Sequence, residues 1–251
     1  GKHGKFGFFA PERATYEKIA DELGIICKHS SATELAYARH PLVYLVEAAD
    51  DICYEIMDIE DAHKLRLLSF EETQRLLLGF FDDDTKTHIC QRIKEEGVTD
   101  DNEKVVYMRA RVVGALEAAC VRTFVENEDA ILSGSFEGSL IDHVTPLLRD
   151  AYRHCATVSF QRIYKSKTVL DVELSGYKIM ETLMKAFIEA AVNPERFHSQ
   201  QLIRRVSSQY DISNDQLEAR IMAVIDYISG MTDVYALDVY QKINGMALPL
   251  V

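Results

Sequence analysis

The chain has 251 residues, 47% hydrophobic and 27% charged, which is enough to bury a core and unlike a disordered or low-complexity chain. Lys and Arg number 28 against 40 Asp and Glu, for a formal net charge of −12, which argues against a general nucleic-acid binder because such binding needs a basic surface. No apolar run approaches the roughly 18 residues that cross a bilayer, and the five cysteines lie far apart without CxxC spacing, so the reading is a cytoplasmic protein with reduced, mostly buried thiols and no zinc site.

Most of the chain reads as helix. Pro11 opens a first helix through Glu12 to about Leu23. His40-Pro41 starts a second that runs to about Leu65. Ser69 with Glu72 forms a capping box for "FEETQRLLLGFF", after which "FDDDTKTH" breaks the pattern. Asp100 with Glu103 caps a long helix through "KVVYMRARVVGALEAACVRTFV". A loop with Gly134, Gly138 and Pro146 follows, then "TVSFQRIY" (Thr157 to Tyr164) as a short extended piece. Another long helix covers about Thr168 to Val192 and stops at Asn193-Pro194. Ser213 with Gln216 caps a helix through Tyr227, Gly230 ends it, and a last helix covers about Asp233 to Ile243. Few strand or hairpin signals occur, and the fold class is all-α, a compact multi-helix bundle.

One stretch stands out. In "LVEAADDICYEIMDIEDA" (Leu45 to Ala62) seven of eighteen residues are acidic. On a helical wheel Leu42, Leu45, Val46, Ala49, Ile52, Cys53, Ile56, Met57 and Ile59 fill one arc, and Glu47, Asp50, Asp51, Tyr54, Asp58 and Asp61 the other. Asp50, Tyr54 and Asp58 are spaced i, i+4, i+8 and stack on one face. By periodicity alone this is a solvated acidic face. Its poverty in Lys and Arg, and the suitability of stacked carboxylates for a hard cation or a sugar hydroxyl, point to a site instead.

The segment "RHPLVYLVEAADDICYEIMDIEDA" resembles the deoxyguanosine triphosphate triphosphohydrolase family, a branch of the HD-domain phosphohydrolases. "DYISGMTDVYALDVYQKI" (Asp226 to Ile243), "KFGFF" (Lys5 to Phe9) and "EKVVYMRARVVGALEAA" (Glu103 to Ala119) resemble it too, so the likeness extends along nearly the whole chain. The resemblance implies an HD-domain-like bundle lacking the N-terminal part of the full domain. Residues 1–66 would be the end of the HD core and 67–251 a C-terminal helical region. It also implies a divalent metal, Mg, Mn or similar, held by a His, a His-Asp pair and a final Asp. The aligned final ligand is Asp50, with Asp51 the adjacent alternative. Tyr54 and Asp58 fall where the family contacts the deoxyribose and its 3′-hydroxyl, and Arg109 and Arg111 where relatives touch substrate.

None of the eight histidines, His3, His29, His40, His63, His88, His143, His154 and His198, is followed by Asp. The remaining metal ligands and the catalytic base are therefore expected upstream in a longer parent protein, with no catalytic residue in this chain and the chain alone inactive. The resemblance implies hydrolysis of a deoxynucleoside triphosphate to deoxynucleoside and tripolyphosphate by a homo-oligomer. The alternatives are a non-catalytic helical regulatory or oligomerisation module, and a phosphohydrolase of another HD branch. "RIYKSK" (Arg162 to Lys167) reads as a solvated basic patch, with a nucleotide phosphate or a neighbouring subunit as its other possible partner. No P-loop, dinucleotide loop, GxSxG or HExxH motif is present.

Overall fold

The structure is a computed structural model that describes residues 8–31 and 35–247, with only the backbone of Ala10 and Thr168. His3 and the Lys5 to Gly7 part of "KFGFF" lie outside the described residues. The fold is all-α. Eleven α-helices and one two-stranded hairpin are present among the described residues. The chain divides into two compact units, 1–164 and 165–251.

In the first unit a 3-10 turn at Ala10–Glu12 leads into α1 (Arg13–Glu22). The hairpin β1 (Cys27–Ser30) and β2 (Leu35–Tyr37) follows, antiparallel, with an irregularity between Cys27 and His29. No periodic pattern marks it, because residues 27–30 are all exposed and show no alternation. α2 (Pro41–Lys64) begins where expected: Pro41 sits at its first position and the His40 ring nitrogen Nδ1 accepts from Leu42 N at 3.2 Å. α3 (Phe70–Leu78) starts from the Ser69–Glu72 capping box, with both reciprocal bonds formed.

The acidic run "FDDDTKTH" is not a break. Asp82 accepts from Thr85 N at 2.8 Å and begins α4 (Asp83–Glu95), with Asp83 and Asp84 in its first turn, where the helix dipole favours carboxylates. α5 (Asp101–Glu126) is capped by Asp100. α6 (Glu128–Leu132), a 3-10 turn at Leu140–His143 and α7 (Pro146–Val158) occupy the region expected to be loop. Pro146 belongs to the first turn of α7, a position that tolerates its missing N–H. Gly134 has φ +69°, and a side chain there would place its Cβ 2.8 Å from Ala38 Cβ, so glycine lets the end of α6 close onto the hairpin exit. The extended piece expected over Thr157 to Tyr164 is helical instead: α7 runs to Val158 and widens into a π-turn at Ser159–Ile163.

The core of this unit has α2 packed chiefly on α5, with α3, α7 and the π-turn against the same helix. Ile56, Ile59, Leu77, Phe80, Met108, Val112 and Leu116 lie within it, each almost fully buried. It joins residues on both sides of position 66 in one apolar cluster. Cys120 and Cys155 are buried there, Cys90 is intermediate, and Cys27 and Cys53 are exposed, so the expectation of mostly buried thiols holds for two of five. Burial pushes the Cys120 thiol up to about 11 and Cys155 up to about 12. Titration with a disulfide reagent at mildly alkaline pH is therefore expected to modify Cys27 and Cys53 first and to reach Cys155 only on unfolding. Rapid native labelling of Cys155 would contradict this core.

The second unit is built on α8 (Lys167–Val192), capped by Ser166 and ending at Asn193. α9 (Phe197–Ile203), α10 (Leu217–Ser229) and α11 (Asp233–Ile243) pack on it around Leu183, Phe187, Val224 and Val239. α9 lacked a sequence signal. The cap of α10 also differs from expectation: the helix begins at Leu217, and Gln216 N is taken by the Asn214 side chain at 2.9 Å rather than by Ser213. Thr232 caps α11 through Tyr235 N.

Candidate functional site

α2 divides its surface in a way periodicity only half foretold. Tyr44, Ala48, Ile52, Glu55, Ile56, Ile59, Glu60 and Ala62 are buried. Leu42, Val46, Ala49, Cys53 and Met57, which share the apolar arc of the helical wheel, are exposed. α5, α3, α7 and the π-turn cover one side of the helix, and the apolar arc is wider than that cover. Val46, Ala49, Cys53 and Met57 thus share an open groove of about 640 Å³ with Asp50, Tyr54, Asp58 and Asp61.

The expected stripe is real in geometry. Asp50, Tyr54 and Asp58 line this groove together. Asp50 and Tyr54 are exposed, and neither makes a hydrogen bond or ion pair among the described residues. Asp58 is half-buried and accepts a hydrogen bond from the Tyr164 hydroxyl. Asp51 does not line the groove: it is half-buried, and its backbone carbonyl accepts from Tyr152 Oη at 3.1 Å. Between Asp50 and its adjacent alternative, only Asp50 lies along the groove.

The two arginines are not brought to this stripe. Arg109 is ion-paired with Glu60, a buried carboxylate on the core side of α2, which Lys64 also reaches at 2.5 Å. That pairing balances a charge which would otherwise be costly to bury. Arg111 is exposed on α5 and does not line the groove. In the basic cluster, Arg162 donates to Glu72 Oε1 at 2.6 Å and to Leu67 O at 3.2 Å, so this one member is tied internally.

A hard divalent cation accepts carboxylate oxygens, and Asp50, exposed and unpaired, suits one position in such a coordination shell. Among the described residues no three His, Cys, Asp or Glu side chains converge as a metal-binding group. The described residues can therefore contribute Asp50 to a metal site but do not complete one.

Sequence reasoning missed four members of this neighbourhood. Glu55 is buried and accepts from Ser159 Oγ at 2.7 Å, while burial raises its carboxyl above the usual range. Ser159, Tyr152 and Tyr164 come from α7 and the segment after it, about 100 residues away. No local pattern announces such long-range pairs.

Comparison with known proteins fits this picture. The sequence profile of the phosphohydrolase-associated domain matches residues 143–242. The "Deoxyguanosinetriphosphate triphosphohydrolase-like protein" of Pseudomonas aeruginosa is 30% identical over 99% of this chain and 55% of its own length. This chain is a homologue of the deoxyguanosinetriphosphate triphosphohydrolase-like proteins. The Synechocystis protein of that same name is 28% identical over 97% of the chain and 53% of its own length. The "Deoxyguanosinetriphosphate triphosphohydrolase" of Yersinia pestis is 26% identical over 95% and 53%. The chain spans about half the length of these relatives. The phosphohydrolase-associated match includes α7 to α10, the region that supplies Ser159 and Tyr164.

Proposed function

We propose that this chain forms part of a metal-dependent deoxynucleoside triphosphate triphosphohydrolase. The observation that carries the reading is the groove on α2, where a free carboxylate, a free phenol and a second carboxylate follow one another along one face. Homology to proteins named for this activity supports it.

In this reading Asp50 supplies one oxygen ligand. The bound metal, Mg, Mn or similar, would polarise the α-phosphate or lower the pKa of water. Water adds to the α-phosphorus, the bond to the 5′-oxygen breaks, and the leaving deoxynucleoside takes a proton while tripolyphosphate departs. Tyr54 presents a flat, amphipathic ring to the sugar. Asp58 accepts from a deoxyribose hydroxyl, using capacity beyond its bond to Tyr164. The apolar members Val46, Ala49 and Met57 border the stripe on one side of the groove. Arg109, held by Glu60, has a structural part in this scheme rather than a phosphate contact.

The deciding assay is release of tripolyphosphate from dGTP with Mn²⁺, run on this chain and on the intact protein with the upstream sequence restored. Activity confined to the longer protein supports the proposal. Turnover by this chain alone would refute the idea that the other ligands lie elsewhere. Silence from both with every deoxynucleotide would favour a helical regulatory module. Within the active protein, Asp58→Ala is expected to narrow the preference for deoxy- over ribonucleotides by about tenfold, the worth of one hydrogen bond to a charged group, read in a competition assay.

A further inference from the structure

α8 is covered along only half of its length. Leu183, Phe187, Ala190 and Ala191 enter the core of the second unit, with Ile179 at its margin. Among the described residues that core takes nothing from the helix before Ile179. Residues 170–175 are all exposed. The uncovered half is apolar nonetheless. Leu170, Leu174 and Tyr177, spaced i, i+4, i+7, share one face, and Leu174 and Tyr177 are 69% and 73% exposed. Nine residues separate Leu174 from Leu183, which at about 100° each puts the two on opposite sides of the helix. The stripe therefore faces away from the core of its own unit.

This half-helix gains little stability by itself. Val169, Val172 and Gly176 are weak helix formers, and a few turns of helix are marginal in water without packing. A Cβ at Gly176 would meet nothing within 4 Å, so the glycine answers no need inside the chain. The charges bordering the stripe say what would cover it. Asp171 and Lys178 lie seven residues apart along one edge, Lys167 precedes the stripe and Glu181 follows it. Consider a second copy of the helix running the opposite way, with the two-fold axis between Leu174 and Ser175. Asp171 then falls opposite the partner's Lys178 and Lys167 beside the partner's Glu181, each pair formed twice by symmetry. A parallel pair in register would set each charge against its like. The groups are at hand. Neither the Asp171 carboxylate nor the Lys167 ammonium has a hydrogen bond or ion pair among the described residues. Lys178 is held by Glu181 at 3.2 Å, an exposed pair of small worth, and Glu181 also binds Lys185 at 2.7 Å.

We propose that the first half of α8 is a self-association surface, pairing antiparallel with the same segment of a second copy of this chain. The apolar stripe supplies the affinity, and the charges along its edges fix orientation and register. The proposal holds whatever chemistry the groove on α2 performs.

The test is sedimentation of this 251-residue chain over a wide concentration range. The unaltered chain is expected to be a dimer that dissociates on dilution. Leu174→Glu is expected to raise the dimer dissociation constant about a hundredfold or more. Leu174 is exposed in the single chain, so the variant should keep its cooperative melting, which separates lost pairing from lost folding. Asp171→Lys and Lys178→Glu are each expected to weaken the dimer about tenfold, and together to return it to within about threefold of the unaltered chain, because the double reversal restores opposite charges across the pair. A monomer at every concentration would overturn the inference and leave the face to another segment or partner. A dimer indifferent to Leu174→Glu, or single reversals that the double variant does not rescue, would overturn it as well.

Discussion

Asp50→Ala in the intact protein is expected to lower kcat/KM for dGTP by about a thousandfold or more, corresponding to about 4 kcal/mol of lost transition-state stabilisation. The size follows from what the residue is asked to do. A carboxylate that only faces solvent contributes almost nothing when removed, and Asp50 is exposed without a protein partner. Its loss therefore should leave folding untouched, with any change within about 0.5 kcal/mol. A large fall in activity with an unchanged melting temperature, together with weaker Mn²⁺ binding by calorimetry, is the expected signature. Near-normal turnover would remove Asp50 from the metal site. The neighbouring Asp51→Ala separates the two acidic candidates: Asp51 does not line the groove, so its effect on kcat/KM is expected to be much smaller.

Ile56→Ala should do the reverse. Ile56 sits on the same helix, fully buried between α2 and the rest of the first unit's core. Removing its branched side chain loses transfer free energy and leaves a cavity, at a cost of about 3 to 4 kcal/mol. The denaturant midpoint of the intact protein is expected to fall accordingly with little change in slope. Tyr54→Ala, two residues earlier but 68% exposed, should move the midpoint hardly at all and act on substrate affinity instead. Equal destabilisation by both changes would mean that the groove face of α2 is buried in the intact protein. These paired substitutions therefore read the two faces of one helix independently.

The acidic stripe was legible before any coordinates because it depends on local geometry. Residues spaced by four on a helix share a face whatever surrounds them, and the helix itself was marked by His40-Pro41 at its start. The Ser69–Glu72 box, the Asp100 cap and the boundaries of α8 and α11 were legible for the same reason: a cap is satisfied within three or four residues. α4 carried its own signal in Asp82 and was missed because three consecutive aspartates look like a break, although the first is a cap and the others suit the first turn. α7 was obscured by β-branched and aromatic residues near its end, where propensity favours a strand and packing on α2 and α3 favours a helix.

By itself the sequence determined the all-α class, most helix ends, the facing of Asp50, Tyr54 and Asp58, and the kinship of the chain, since each depends on residue identity and short spacing. Only the tertiary structure decided which apolar residues of α2 are covered, that Arg109 answers Glu60, and that Ser159 and Tyr164 cross about 100 positions to reach Glu55 and Asp58. Helical periodicity says which side chains share a face. It does not say what stands opposite that face, because the partner is chosen by how distant segments pack and by which buried polar groups must find one another.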